Sequence, residues 1–254
     1  AYGFWGFQHS NAAELDPNTM YSVRPGTKVH SPFIPSSRRY GELRDPAGTK
    51  YPAVYEGEDL GRFNFFEAAS IRKVGNKYVW VYSGYSGPDY GLSSTNSALR
   101  YAFADSPLGP WKSGGVLVDS RAPVLNEDGS SLQTSYSGHN THGSIEYIND
   151  QWYVFYHRQT NRHFFSRQAC AEEIFFDGER FHQAEITSCG LNGGPLKAEG
   201  WYPAYIACHI FGKDTPLIVS RPGLPRVTQD GRDGDKIDGH IDQIADGTTI
   251  GFKY

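Results

Sequence analysis

The chain has 254 residues, 38% hydrophobic and 15% aromatic, enough apolar material for one large core or two small ones. Lys and Arg number 24 against 28 Asp and Glu, a formal charge of −4, which leaves no basic footprint for nucleic acid or an anionic membrane. No apolar run approaches the ~20 residues of a membrane span, and the start shows no charged-then-apolar signal pattern, although a removed signal upstream stays open.

In chain order the sequence reads as all-β. Short segments rich in Tyr, Phe, Val and Ile are punctuated by 29 Gly and 15 Pro, with no convincing amphipathic helix of three turns. Residues 70–83, "SIRKVGNKYVWVYS", alternate around a Gly75-Asn76 turn, and residues 144–157, "SIEYINDQWYVFYH", do the same around Asn149-Asp150. Aligned, the two share Ser-Ile, an apolar residue before the turn and an apolar-aromatic stretch after it, at an offset of 74. A second hairpin follows each: "ALRYAFADSPLGPWKSGGVLV" after the first, and "RQACAEEIFFDGERFHQAEI", with an Asp177-Gly178 turn, after the second. Four strands per repeated unit point to propeller blades; a β-sandwich is the alternative, but it gives no reason for two long units to resemble each other.

Measured by the same repeat, Tyr2 to Phe7 stand in the place of Tyr78 to Tyr82, and Ala12 to Asp16 in the place of Leu99 to Phe103. The first strand of that unit is missing. The expectation is therefore a C-terminal portion of a longer domain, residues 1–254 forming one propeller domain that lacks its first blade and the start of its second. Edge residues such as Tyr2, Phe4 and Phe7 would then be covered by an N-terminal fragment of the same domain.

The innermost strand of a blade lines the propeller axis, and its leading end opens toward the mouth. "NFFEAASIRKV" puts Glu67 at that end of one unit, and "GHNTHGS" puts His142 at nearly the same place in the next. A carboxylate flanked by Phe65 and Phe66 is partly desolvated, which suits it to donate a proton near neutral pH; the alternative is an ordinary strand-edge glutamate. Arg167, in "SRQACAEE", is expected to lead an inner-facing segment where its fork could hold a ligand's hydroxyls, or else to form a surface ion pair with Glu172 or Glu173. Phe65, Phe66, Trp5 and Trp201 could stack on a ligand's flat face or fill the core. Cys170, Cys189 and Cys208 stand nineteen residues apart, which matches no close-paired zinc spacing and leaves buried thiols or one disulfide plus a free thiol.

"FFEAASIRKVGNKYVWVYS", "LRYAFADSPLGPW", "THGSIEYINDQWYVFYHR" and the closing "DGTTIGFKY" resemble glycoside hydrolase family 43 over most of the chain. The resemblance implies a five-bladed β-propeller. It also implies an inverting O-glycosyl hydrolase of the α-L-arabinofuranosidase or β-xylosidase type, with galactosidase as a variant, secreted or periplasmic and acting on plant polysaccharide side chains. Three carboxylates are implied: a base Asp, an Asp that tunes the acid, and an acid Glu. Base and acid stand ~6.5–9.5 Å apart to admit a water. Only the acid maps here, onto Glu67; the two aspartates are expected before Ala1. Asp16 in "AELDP" reads as a strand-ending turn. The resemblance makes His142 the axial histidine, beside a calcium ion that it would reach through water, because calcium prefers oxygen ligands. Phe66, Arg167 and His142 are thus the expected substrate-binding residues. A glycan-binding propeller without turnover is the alternative function, and a protein-binding propeller a weaker third.

Overall fold

Both repeated hairpins form around the turns read from the sequence. In the computed structural model, which describes every residue except 35–54, 57–62, 132–133, 135, 137, 162, 214, 217–222, 230–238 and 254, no described residue is α-helical. β1 (Tyr2–Trp5) and β2 (Asn11–Glu14) make a two-stranded antiparallel pair. The first large sheet runs β3-β7-β6-β5-β4, built from β3 (Tyr55–Glu56), β4 (Phe65–Val74), β5 (Lys77–Ser86), β6 (Thr95–Ala104) and β7 (Trp111–Asp119). The second runs β8 (Ser144–Ile148), β9 (Gln151–Thr160) and β10 (His163–Ile174). Beyond it, β11 (His209–Gly212) pairs with β12 (Thr215–Pro216) and β15 (Thr249–Gly251), while β13 (Arg226–Gln229) pairs with β14 (Gly239–Asp242).

The repeat is exact in register. Ser70 opposes Val81 and Arg72 opposes Val79 in the first unit, as Ser144 opposes Phe155 and Glu146 opposes Tyr153 in the second. Asn149 and Asp150 both take positive φ, 49° and 63°, the geometry that two-residue hairpin turns demand. Residues equivalent by the offset also touch: the hydroxyls of Ser70 and Ser144 lie 2.9 Å apart, and Arg72 Nε donates to Glu146 Oε2 at 3.2 Å. The leading strands β4 and β8 are therefore neighbours, as inner strands of adjacent blades must be.

The second unit departs from the four-strand expectation. After β10 the chain makes one isolated bridge, Phe176 to Phe181, around a turn in which Asp177 Oδ1 accepts the backbone N–H of Glu179 and Arg180. It then leaves for the first sheet, where the Ala184 N–H donates to Leu117 O at 2.6 Å. Tyr101 OH donates to Phe181 O at 2.8 Å and draws the turn the same way.

Two cores clamp the first sheet. Trp80, Tyr82, Phe65, Trp111 and Phe33 form an aromatic cluster, with Phe4 packed against it. Its rings sit 5.1–5.7 Å apart where Phe33 and Phe65 meet Trp80, spacings at which tilted aromatic pairs attract. Phe4 is thus engaged in this core, while Tyr2 and Phe7 are exposed at 42% and 62%. Val79, Val81, Leu99 and Leu117 belong to an aliphatic core shared with Ile145 and Val154 of the second sheet. All three cysteines are free thiols.

Candidate functional site

Glu67 projects from a deformed strand. The ladder between β4 and β5 slips between Phe65 and Glu67 and again between Glu67 and Ser70, and Ala68 takes φ 58°. A non-glycine residue in the left-handed region is uncommon, and bulges of this kind re-aim a side chain. The displaced edge pairs instead with the chain after β1: Phe7 bridges Glu67, and the Gln8 N–H donates to Phe66 O at 2.6 Å.

The bulge brings Glu67 to His142. His142 Nε2 lies 2.6 Å from Glu67 Oε1, and the two side chains keep 36% and 21% of their exposure. The carboxyl is therefore partly desolvated, as its phenylalanine neighbours predict. Its second oxygen has no hydrogen-bond partner among the described residues, and no other described carboxylate contacts Glu67 or His142.

His142 is itself held by a residue that the sequence reading passed over. His157, on β9, accepts the backbone N–H of His142 at its Nε2, 3.1 Å away, and the two rings lie 5.3 Å apart. Accepting there requires the neutral ring with its proton on Nδ1. Burial, reinforced by the charge of Arg167 and by His142, pushes the His157 imidazole down to about 4, so it stays neutral. The repeat could have found it: His157 occupies in the second unit the place of Ser83 in the first, and Ser83 is the residue paired with Glu67.

The segment before His142 is tied to the end of β7. Thr141 donates to Ser120 Oγ at 2.6 Å, and Ser120 donates to Ser97 O at 2.9 Å. Next to Ser120, buried Asp119 accepts from Ser86 at 2.5 Å, from Arg121 Nη2 at 2.9 Å and from Tyr90. Burial alone would raise the Asp119 carboxyl; Arg121, Ser86 and Tyr90 together hold it low. His139, expected in a loop, places Nδ1 3.2 Å from Asn96 Oδ1.

Two expected site residues are placed differently from the sequence reading. Phe66 is 7% exposed, with its ring set edge-on to Phe7 and Tyr85, so it walls the bulge rather than offering a face to a sugar. Arg167 lies on β10, the edge strand of its sheet rather than an inner one, exposed, with Nη1 3.4 Å from His157 Nε2. Its expected ion-pair partner Glu172 is bonded instead to Tyr156 and Thr187. Asp16 does form the turn: its carboxylate accepts the Asn18 N–H at 2.8 Å. Trp201 is fully exposed and Trp5 is 43% exposed. For the implied calcium the fit is poor. Among the described residues no three His, Cys, Asp or Glu side chains gather to hold a metal ion, and His142 Nε2 faces Glu67.

No protein-family model matches the chain. A xylosidase/arabinosidase of Thermoclostridium stercorarium is 41% identical over 205 residues, covering 78% of this chain and 41% of that protein. A β-xylosidase of Xylanibacter ruminicola is 32% identical over 113 residues, covering 44% of this chain and 26% of that protein. The matched part thus spans less than half the length of either relative. Among solved structures, a calcium-free GH43 β-xylosidase/α-arabinofuranosidase from a compost microbial metagenome, in complex with xylotriose, is 20% identical, with a TM-score of 0.41 over 69% of this chain and 42% of that one.

Proposed function

We infer that this chain, whose resemblance to glycoside hydrolase family 43 is borne out by its xylosidase/arabinosidase relatives, carries the proton-donating side of a glycosidase site, with Glu67 as general acid. The observation that supports this is the bulged, partly buried Glu67 with one oxygen on His142 and the other unengaged. His142 fixes the orientation of the carboxyl, and the free oxygen delivers a proton to the glycosidic oxygen as the bond to the departing sugar breaks. Inversion then needs a base across the sugar, and no described carboxylate near Glu67 takes that role.

The substrate class we propose is an oligosaccharide or polysaccharide side chain ending in xylose or arabinose, processed outside the cytoplasm. Arg167, exposed beside His157, is the described donor best placed to meet its hydroxyls. A calcium ion near His142 would have to draw its oxygens from beyond the described side chains. Glycan binding without turnover is the second reading, favoured by the lack of a partner carboxylate among the described residues.

The test is Glu67→Ala in the full protein. We expect kcat/KM to fall by ~10²–10⁴ on xylosides or arabinosides with poor leaving groups, and much less on activated aryl glycosides, whose leaving group needs little protonation. Equal losses on both would remove Glu67 from the acid role. Saccharide binding with no hydrolysis of any such glycoside by the unaltered protein would establish the binding reading.

A further inference from the structure

A cavity lined by neither Glu67, His142 nor His157 lies between β9–β10 and residues 186–206 and has a volume of about 550 Å3. At its floor is Arg158, 3% exposed. The Arg158 Nε donates to Gln168 Oε1 at 2.9 Å and its Nη2 to Tyr205 O at 3.0 Å, while the guanidinium lies 4.2 Å from the centre of the Tyr136 ring. Each of these partners is neutral, and among the described residues no carboxylate lies within ion-pair distance of Arg158. A buried cation without a counter-charge is unfavourable unless something supplies one.

The rest of the lining does not supply it. Glu172 is the one carboxyl there, and it accepts from Thr187 Oγ1 at 2.6 Å, from the Thr187 N–H at 3.1 Å and from Tyr156 OH at 3.1 Å. Burial, only partly offset by these donors, pushes its carboxyl up to about 7, so near neutrality it is partly protonated. Lys197 adds a second, exposed cation to the lining. Tyr202 also lines the cavity, its hydroxyl donating to Lys197 O at 2.9 Å, and the next residue back, Trp201, is fully exposed. Two fixed positive charges, an aromatic wall and one titratable carboxyl make a receptor for a small anion carried on a ring.

We propose that this cavity binds an acidic saccharide, a uronate, with its carboxylate on Arg158 and Lys197 and its ring along Tyr202. The anion half of the proposal stands on the charges alone; the sugar half rests on the glycosidase reading above. The groups facing Glu172 are Tyr156 and Arg158 from β9, Cys170 from β10, and Thr187 from the crossing segment. Ionising Glu172 therefore adds a negative charge to a site built for one.

The experiment is titration of the full protein with glucuronate, xylose and acetate, followed by calorimetry at pH 6 and pH 8. We expect saturable glucuronate binding at least about tenfold tighter than xylose or acetate, weakening about tenfold from pH 6 to pH 8. Glu172→Gln should bind equally at both pH values. Lys197→Glu, an exposed substitution that leaves folding intact, should abolish glucuronate binding without changing xyloside turnover. That last arm keeps a failure here separate from a failure of the Glu67 assignment. Glucuronate binding no tighter than xylose, acetate binding as tightly as glucuronate, a pH dependence that survives in Glu172→Gln, or full binding by Lys197→Glu would each overturn the proposal.

Discussion

The two repeated units share a ladder and differ in what surrounds it. In β5 every residue from Val79 to Ser86 is buried, because Trp80 and Tyr82 face the aromatic cluster while Val79 and Val81 face the aliphatic core. In β9 the equivalent stretch alternates as far as His157, with Val154 and Tyr156 buried and Tyr153, Phe155 and His157 half-buried, before Arg158, Gln159 and Thr160 are all buried. The first sheet is clamped on both faces and the second on one. A backbone strained as at Ala68 persists only where its surroundings over-determine it, so the bulge that aims Glu67 sits on the clamped sheet. The sheet with an open face carries His157 and follows directly on His142, which holds that carboxyl by a hydrogen bond rather than by packing.

The largest test of this contrast is Trp80→Ala. It removes a fully buried ring that meets Phe4, Phe33, Phe65, Tyr82 and Trp111, and should cost about 3–5 kcal/mol in urea unfolding. Phe155→Ala, on the half-open face of β9, should cost less than half as much. Equal losses would show that burial on the second face contributes nothing to the difference.

Next come two opposite pH slopes within the second sheet. The His157 imidazole sits at about 4 when folded against an ordinary 6.5, so the unfolded chain binds the extra proton first. Its contribution to stability is complete above about 6.5 and is lost as pH falls toward 4. Glu172 runs the other way: about 7 when folded against 4.5, its contribution is complete below about 4.5 and is lost as pH rises toward 7. Melting temperatures of His157→Gln and Glu172→Gln followed from pH 4 to pH 8 should each lose one of these slopes. A slope unchanged by its own substitution would break the assignment.

The smallest effect lies where the two units touch. Arg72 and Glu146 are 38% and 52% exposed, so a double-mutant cycle should return no more than about 1 kcal/mol of coupling. The Ser70–Ser144 pair, less exposed, should couple by about 0.5–1.5 kcal/mol. Coupling near zero for both would mean that β4 and β8 lie side by side without stabilising each other.

How much of this was legible in the sequence varies with the range of the interaction. Both hairpins could be placed from Gly75-Asn76 and Asn149-Asp150, because a two-residue turn demands positive φ from residues that tolerate it, and that is a local requirement. The 74-residue offset marked the two units as equivalent, and equivalent residues do meet between the sheets, Ser70 with Ser144 and Arg72 with Glu146. It also put Glu67 and His142 at the same end of adjacent strands. Asp16 as a turn residue was equally local, its carboxylate reaching an N–H two residues on.

Tertiary packing decided the rest. Alternation gives no sign that the Glu67 ladder slips twice, because the slip depends on Phe7 and Gln8 arriving to pair with the displaced edge. Phe66 was open to a sugar-facing role until Phe7 and Tyr85 closed on its ring, and Arg167 read as inner until pairing put β10 at the edge of its sheet. The fourth strand of the second unit gives way to hydrogen bonds in which the Leu117 carbonyl accepts and the Tyr101 hydroxyl donates, both more than sixty residues upstream. The protonation of His157 and Glu172 follows from desolvation and from donors on other strands, and a side chain's distance from water is set only once the whole chain has packed.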